Sequence, residues 1–297
     1  MVKCQLCSST YERDEVFAYR GEEKRTVDSP RNPKAPSTLA TSLRASARRV
    51  SVRPLPFPSA FFLIGFLILT VSAFFVHAHP RPYPLDLQVT EGVQSVALPS
   101  FVVSFIDFFS AVNDPLPSII ALGAWLVGLI VIGLVARLRG KSPVKLFESA
   151  IGIVATVGIA SGINYIYNTL VARPRPGSFH EHIRVLLHRP EHSFPSGHTE
   201  HDVAYYGFLL FLSFTPPVST WKYRWVLIPL QVYCAIDILT IGFSRIYEGE
   251  HWLTDVLAGY VSGAIWLLMC IFFYRWITTW IALILEDRQQ AASAPSP

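Results

Sequence analysis

Three short clusters hold most of the chemistry this chain can offer. Arg173-Pro174-Arg175-Pro176 brings two guanidinium forks. Pro195-Ser196-Gly197-His198 brings a hydroxyl, a permissive backbone and an imidazole. Ser244-Arg245, followed by His251 and Asp255, adds a guanidinium, a second imidazole and a carboxylate. If these groups converge, they suffice to hold the oxygens of a phosphate ester, attack its phosphorus and protonate the departing oxygen.

Each cluster also has a plainer reading. Should the last apolar run begin its helix near Glu250, His251 and Asp255 stand four residues apart on one face, and the carboxylate would fix the imidazole tautomer. The other ring nitrogen is then a free nucleophile; the plainer alternative is a helix start solvated at headgroup level. In the second cluster, Gly197 lets the backbone approach an anion, Ser196 adds a donor, a helix N-terminus adds amides, and His198 stands at the rim as a proton donor. The same residues also make an ordinary N-cap and turn. Arg173 and Arg175 are placed for bidentate phosphate contacts, or else simply end a helix that Pro174 and Pro176 prevent from continuing.

The elements that must position these clusters are helices in a bilayer. Of 297 residues 51% are apolar and 15% charged, and mean hydropathy is +0.38, which argues against a soluble globule. Apolar runs of membrane-crossing length begin near Ser59, Pro117, Leu146, Val203, Trp225 and Val256. The run from Val203 to Phe214 is the shortest, and Asp107, Asn113 and Asp114 break an apolar stretch that reads as interfacial. The expected fold is all-α: a six-transmembrane helical bundle over residues 56–286, flanked by disordered polar tails at 1–55 and 287–297.

Loop charge sets the expected orientation. Arg44, Arg48, Arg49 and Arg53 before the first run, and Arg137, Arg139, Lys141 and Lys145 after the second, put those segments in the cytoplasm. Six crossings return the C-terminus there and place all three clusters on the extracytoplasmic side. Arg173, Arg175, Arg184 and Arg189 count against that orientation unless they bind phosphate. The first run starts too far along the chain for a usual signal peptide and reads as an anchor. Cys4-x-x-Cys7 is half a zinc ribbon that Cys234 and Cys270, inside apolar runs, cannot complete. His180, His182, His188 and His192 match no metal spacing well and read as a solvated loop. His201 and Asp202 either shape substrate entry or sit in the headgroup layer.

Taken together, Pro195-Ser196-Gly197-His198 and Ser244-Arg245 with His251 and Asp255 resemble the type 2 phosphatidic acid phosphatase superfamily, membrane lipid phosphate phosphatases that share a core with vanadium haloperoxidases. The resemblance runs from about Leu85 to Leu283. It implies that His251 attacks phosphorus, that His198 protonates the leaving alcohol, and that Asp255 completes the catalytic set. It also implies that Arg175, Ser196, Gly197 and Arg245 bind phosphate with no cofactor or metal. The first family motif departs, because Asn168 stands where its lysine is expected. That removes a positive charge, for which Arg173 is a candidate to compensate, although it need not face the site. The implied partners are a lipid phosphate, phosphomonoester or diphosphate, and the bilayer, with no nucleic acid. A phosphotransferase, or a weakened lipid-binding scaffold, remains the alternative.

Overall fold

The computed structural model describes residues 59–178, 182–186 and 192–293, so the readings made for the N-terminal tail and for His180, His188 and Arg189 lie outside the described residues, whereas residues 287–293 of the C-terminal tail are described and continue the last helix. The first apolar run is helix α1, Ser59–Ala78. The segment read as interfacial holds two helices, α2 (Pro84–Ser95) and α3 (Ser100–Val112). Then follow α4 (Pro115–Leu138), α5 (Val144–Val171), α6 (Gly197–Ser213), α7 (Ile228–Tyr247, after a 3-10 turn at Arg224–Leu227) and α8 (Leu253–Ser293). Among the described residues there is no strand.

Among the described residues five helices, not six, are by themselves long and apolar enough to cross a membrane: α1, α4, α5, α7 with its leading turn, and α8. The expected fourth span corresponds to α6, whose 17 residues rise only about 25 Å against a hydrocarbon core of about 30 Å. Its position explains how it can be short. It packs against α5, α7 and α8, and Val203, Ala204, Tyr205, Phe208 and Leu209 are buried along it. A helix surrounded by protein needs no lipid-matched length, and it tolerates the fully buried Glu200 and Asp202 that a lipid-facing helix would not. The outer helices instead expose apolar side chains such as Leu63, Phe74, Ile132 and Leu138, a surface suited to hydrocarbon.

Local sequence explains where the helices stop. Ala172 adopts a left-handed conformation (φ 52°) just after α5, and Pro174 and Pro176 prevent resumption. Beyond α7, Gly249 (φ 72°) reverses the chain; a Cβ there would lie 2.2 Å from the Arg184 carbonyl oxygen. This turn delays α8 to Leu253, so His251 precedes the helix instead of sharing a face with Asp255. α8 then meets the start of α6 through Gly259 and Gly263, where an added Cβ would come within 2.8 Å of the Ser196 and Glu200 carbonyl oxygens. Small residues four apart allow this close approach, and it presses the second cluster onto the helix that follows the third.

Candidate active site

A buried ion cluster organises the site from behind. Asp86, near the start of α2, accepts bonds from its own Tyr83 N (3.0 Å), from Thr254 N (2.9 Å) and from Arg173 Nη2 (2.7 Å). Arg173 Nη1 reaches Asp255 Oδ1 at 2.5 Å, and the Trp252 N–H donates to Asp255 Oδ2 at 2.9 Å. Asp255 thus caps α8 from its first turn, while Asp86 takes another of that helix's orphan N–H groups. Asp86, Arg173 and Asp255 are each fully buried. Burial opposes the Arg173 charge, yet Asp255 and then Asp86 outweigh it and raise its pKa.

Backbone contacts bring the three clusters together. Ser193 N donates to Arg173 O (2.8 Å) and Ser196 N to Asp255 O (3.0 Å). Trp252 Nε1 donates to Pro174 O (3.2 Å) and Arg175 Nη1 to Glu250 O (2.9 Å). His251 Nδ1 lies 2.8 Å from Ser193 O but 3.9 Å from Asp255 Oδ2. A carbonyl oxygen only accepts, so Nδ1 carries the proton and Nε2 is bare; Arg175 Nη1, 3.3 Å away, donates to it. The carbonyl, more than the carboxylate, fixes the tautomer. Burial, then the Arg175 charge, pushes the His251 pKa down to about 4, which keeps the ring neutral.

Arg245 lies in a second buried cluster. Its Nη2 contacts Ser110 Oγ and Glu248 Oε2 (3.0 Å), and its Nη1 contacts Glu250 Oε2 (3.1 Å). Burial pushes Glu248 up to about 7, against the pull of Arg245.

His198 and His251 open onto one cavity of about 400 Å³, together with Arg175, Gly197 and Asn168. The cavity continues between α4 and α5 along Ile119, Leu122, Val157 and Ala160, so one end is polar and the other is an apolar groove. The first-turn amides of α6, which have no acceptor within the helix, start at Gly197 beside this polar end. Asn168 Nδ2 donates to His192 O (2.8 Å). His201 lines the same cavity and bonds Asp202 Oδ1 at 3.0 Å.

The structure distributes the expected site residues unevenly. His198, His251, Arg175, Gly197 and Asn168 line the cavity, whereas Arg173, Ser196, Arg245 and Asp255 stand behind it. Ser196 is fully buried, and its hydroxyl meets Thr199 Oγ1 at 3.0 Å, neither capping α6 nor entering the cavity. Arg173, the candidate to compensate for the missing lysine, instead holds Asp255. Sequence reasoning missed Asp86, Glu248, Glu250 and Ser110. Only Asp86 carried a local signal, the Pro84-x-Asp86 pattern of a helix start.

Comparison with known proteins agrees with this architecture. Residues 149–281 match the family model described as the PAP2 superfamily. An undecaprenyl-diphosphatase of Sulfolobus acidocaldarius is 29% identical over 115 residues, covering 38% of this chain and 50% of that protein. Undecaprenyl-diphosphatase BcrC of Bacillus subtilis is 33% identical over 114 residues, covering 38% and 51%. This chain therefore spans about half the length of the curated relatives it matches. The crystal structure of a transmembrane PAP2 type phosphatidylglycerolphosphate phosphatase from Bacillus subtilis is similar in fold, with a TM-score of 0.55 at 16% identity, over 73% of this chain and 96% of that one. This is a multi-pass integral membrane protein, and the stretch that carries all three clusters, residues 149–281, is similar to the PAP2 superfamily by its match to that family's model.

Proposed function

We propose that this chain is a lipid phosphate phosphatase working through a phosphohistidine. The observation that carries the reading is the shared cavity: two imidazoles and the Arg175 guanidinium at one end, an apolar groove between two membrane helices at the other. A phosphate on a long hydrocarbon tail fits both ends at once. The relatives named as undecaprenyl-diphosphatases and phosphatidylglycerophosphatase B support this substrate class, as a diphosphate or a phosphomonoester.

In this mechanism, Arg175 and the α6 amides hold the phosphoryl oxygens. The Nε2 lone pair of His251 forms the N–P bond as the P–O bond to the lipid breaks, and protonated His198 gives its proton to the departing oxygen. Water then attacks phosphorus, His198 takes back a proton, and phosphate leaves. Arg173 and Asp255 hold the backbone that carries His251, while Arg245 and Ser196 act through their neighbours. With the phosphoryl charge met by a guanidinium and amides, turnover needs no metal. With the protein-enclosed α6 taken as a sixth crossing, the positive-inside pattern supports an extracytoplasmic site with both termini in the cytoplasm.

The test is phosphate release from a panel of lipid phosphates by detergent-purified protein in EDTA. Wild type is expected to release phosphate and His251→Ala to release none. Turnover that EDTA abolishes, or that survives His251→Ala, would sink the mechanism; acid-stable, base-labile label on the wild-type enzyme from a labelled substrate would count against phosphohistidine, which is labile to acid.

A further inference from the structure

Beyond pairing with Arg245, the Glu250 carboxylate has no part in the phosphatase reading. A carboxylate opposes a bound phosphate, yet this one is fully buried beside the two imidazoles. One ligand atom from each of His198, Glu250 and His251 lies within 4.8 Å of the others, and among the described residues they are the histidine, cysteine and carboxylate group so arranged. Two imidazoles and one carboxylate are also the donor set of open zinc sites, where bonds to nitrogen and oxygen run about 2.0–2.2 Å.

Two of the three donors already have the supports that metal ligands usually have. The Nδ1–H of His251 is held by the Ser193 carbonyl at 2.8 Å, which aims a bare Nε2 outward; metal-ligating histidines are commonly fixed in this way through their other nitrogen. Glu250 Oε2 is held by Arg245 Nη1 at 3.1 Å. A carboxylate has about four lone-pair positions, so it can hold more than one partner at once. Asp114 Oδ1, 3.8 Å from His198 Nε2, adds negative charge at the rim. Two guanidiniums oppose a cation: Arg245, whose Nη1 holds Glu250 Oε2 at 3.1 Å, and Arg175, whose Nη1 lies 3.3 Å from His251 Nε2. Metal and guanidinium compete for the same lone pair, so a bound metal requires Arg175 to withdraw into the cavity that it half faces.

We propose that His198, Glu250 and His251 form a site for a first-row divalent cation with a preference for nitrogen and oxygen donors, Zn²⁺ above all, and that its occupation blocks phosphoryl transfer. A coordinate bond from Nε2 to the metal uses the electron pair that would otherwise attack phosphorus, and it displaces the guanidinium that would hold the phosphate. The blocking step rests on the proposed function; the metal site does not.

The experiment uses the full-length, detergent-purified chain with Cys4 and Cys7 replaced by Ser, so that tail thiols contribute nothing. After chelation and removal of the chelator, titration with Co²⁺ is expected to give visible ligand-field bands that saturate at about one ion per chain and vanish on adding stoichiometric Zn²⁺. Glu250→Gln and His198→Ala are each expected to weaken Zn²⁺ binding by at least about tenfold, the low end of what loss of even an outer-shell partner costs. His182→Ala, at an exposed loop position, is expected to bind as the parent does. The absence of bands in the parent protein overturns the site whether or not the variants fold, as does binding lost in His182→Ala but kept in Glu250→Gln. Phosphate release in the same preparation should fall along the Zn²⁺ occupancy curve; full activity at full occupancy overturns the blocking step. If no lipid phosphate is hydrolysed at all, it is the phosphatase reading that fails, and the cobalt spectrum still decides the metal site.

Discussion

At the residue scale, the proposed nucleophile is set up by what surrounds it. His251 is faced by Arg175, Glu250, Asp255, His198 and the Ser193 carbonyl. Burial and then Arg175 hold its pKa at about 4, below the ordinary value near 6.5. The sign follows directly: the free base, which attacks, predominates above about 4, and protonation removes it as the pH falls through that value. We therefore expect the acid limb of kcat/KM, measured in EDTA, to lie near 4; a limb in the middle sixes would show that the ring is more solvated than the structure has it. Asn168 offers a second test. Lys has three donors, so Asn168→Lys can keep the bond to His192 O while adding a charge to the cavity. At about 6 Å and an effective dielectric of about 20 that charge is worth roughly 3 kcal/mol before screening. KM should fall about tenfold or more, and a rise would show that the loop, not the charge, depends on the amide.

At the element scale, the Asp86–Arg173–Asp255 cluster joins the start of α2, the segment after α5 and the start of α8. Removing one partner of a buried pair costs about 3–5 kcal/mol, and Arg173→Lys, which keeps the charge but loses the two-pronged fork, should cost part of that. The expected result is a clearly lower melting temperature with KM unchanged in the protein that remains folded. A raised KM with unaltered melting would mean that Arg173 touches substrate. The same cluster shows what the sequence could and could not disclose. The bounds of α1 are those of its apolar run, because a lipid-facing helix has to be apolar for its whole length. α6 fell short of that pattern because protein surrounds it, and its polar first turn belongs to the cavity. The start of α8 was misplaced by three residues since Gly249 reverses the chain, and a pattern of four-residue spacing cannot register a positive φ. That the clusters share one end of the bundle followed from their places at the ends of apolar runs. The partners of Arg173, Arg245 and His251 did not, because Asp86, Ser110 and the Ser193 carbonyl lie 87, 135 and 58 residues away along the chain.

At the scale of the whole molecule, the cavity would join the proposed anion site to a path in the membrane. Its apolar arm runs between α4 and α5, and Ile119 on α4 is largely exposed at its edge, where hydrocarbon is the solvent. A tail in that arm gains about 0.8 kcal/mol for each methylene taken from water, but almost nothing for one taken from lipid, which is already apolar. The groove should therefore orient a membrane substrate more than tighten it, holding the tail so that the phosphate arrives between His198 and His251. Ile119→Trp narrows the arm from its outer edge without entering the buried core. We expect it to lower kcat/KM for a long-chain lipid phosphate about tenfold relative to a short, water-soluble phosphomonoester, measured side by side in the same detergent. The effect is steric and positional, so it should grow with chain length up to the length of the groove and then level off. If both substrates change by the same factor, the tail does not lie between α4 and α5, and the amphiphile must enter by another face of the bundle.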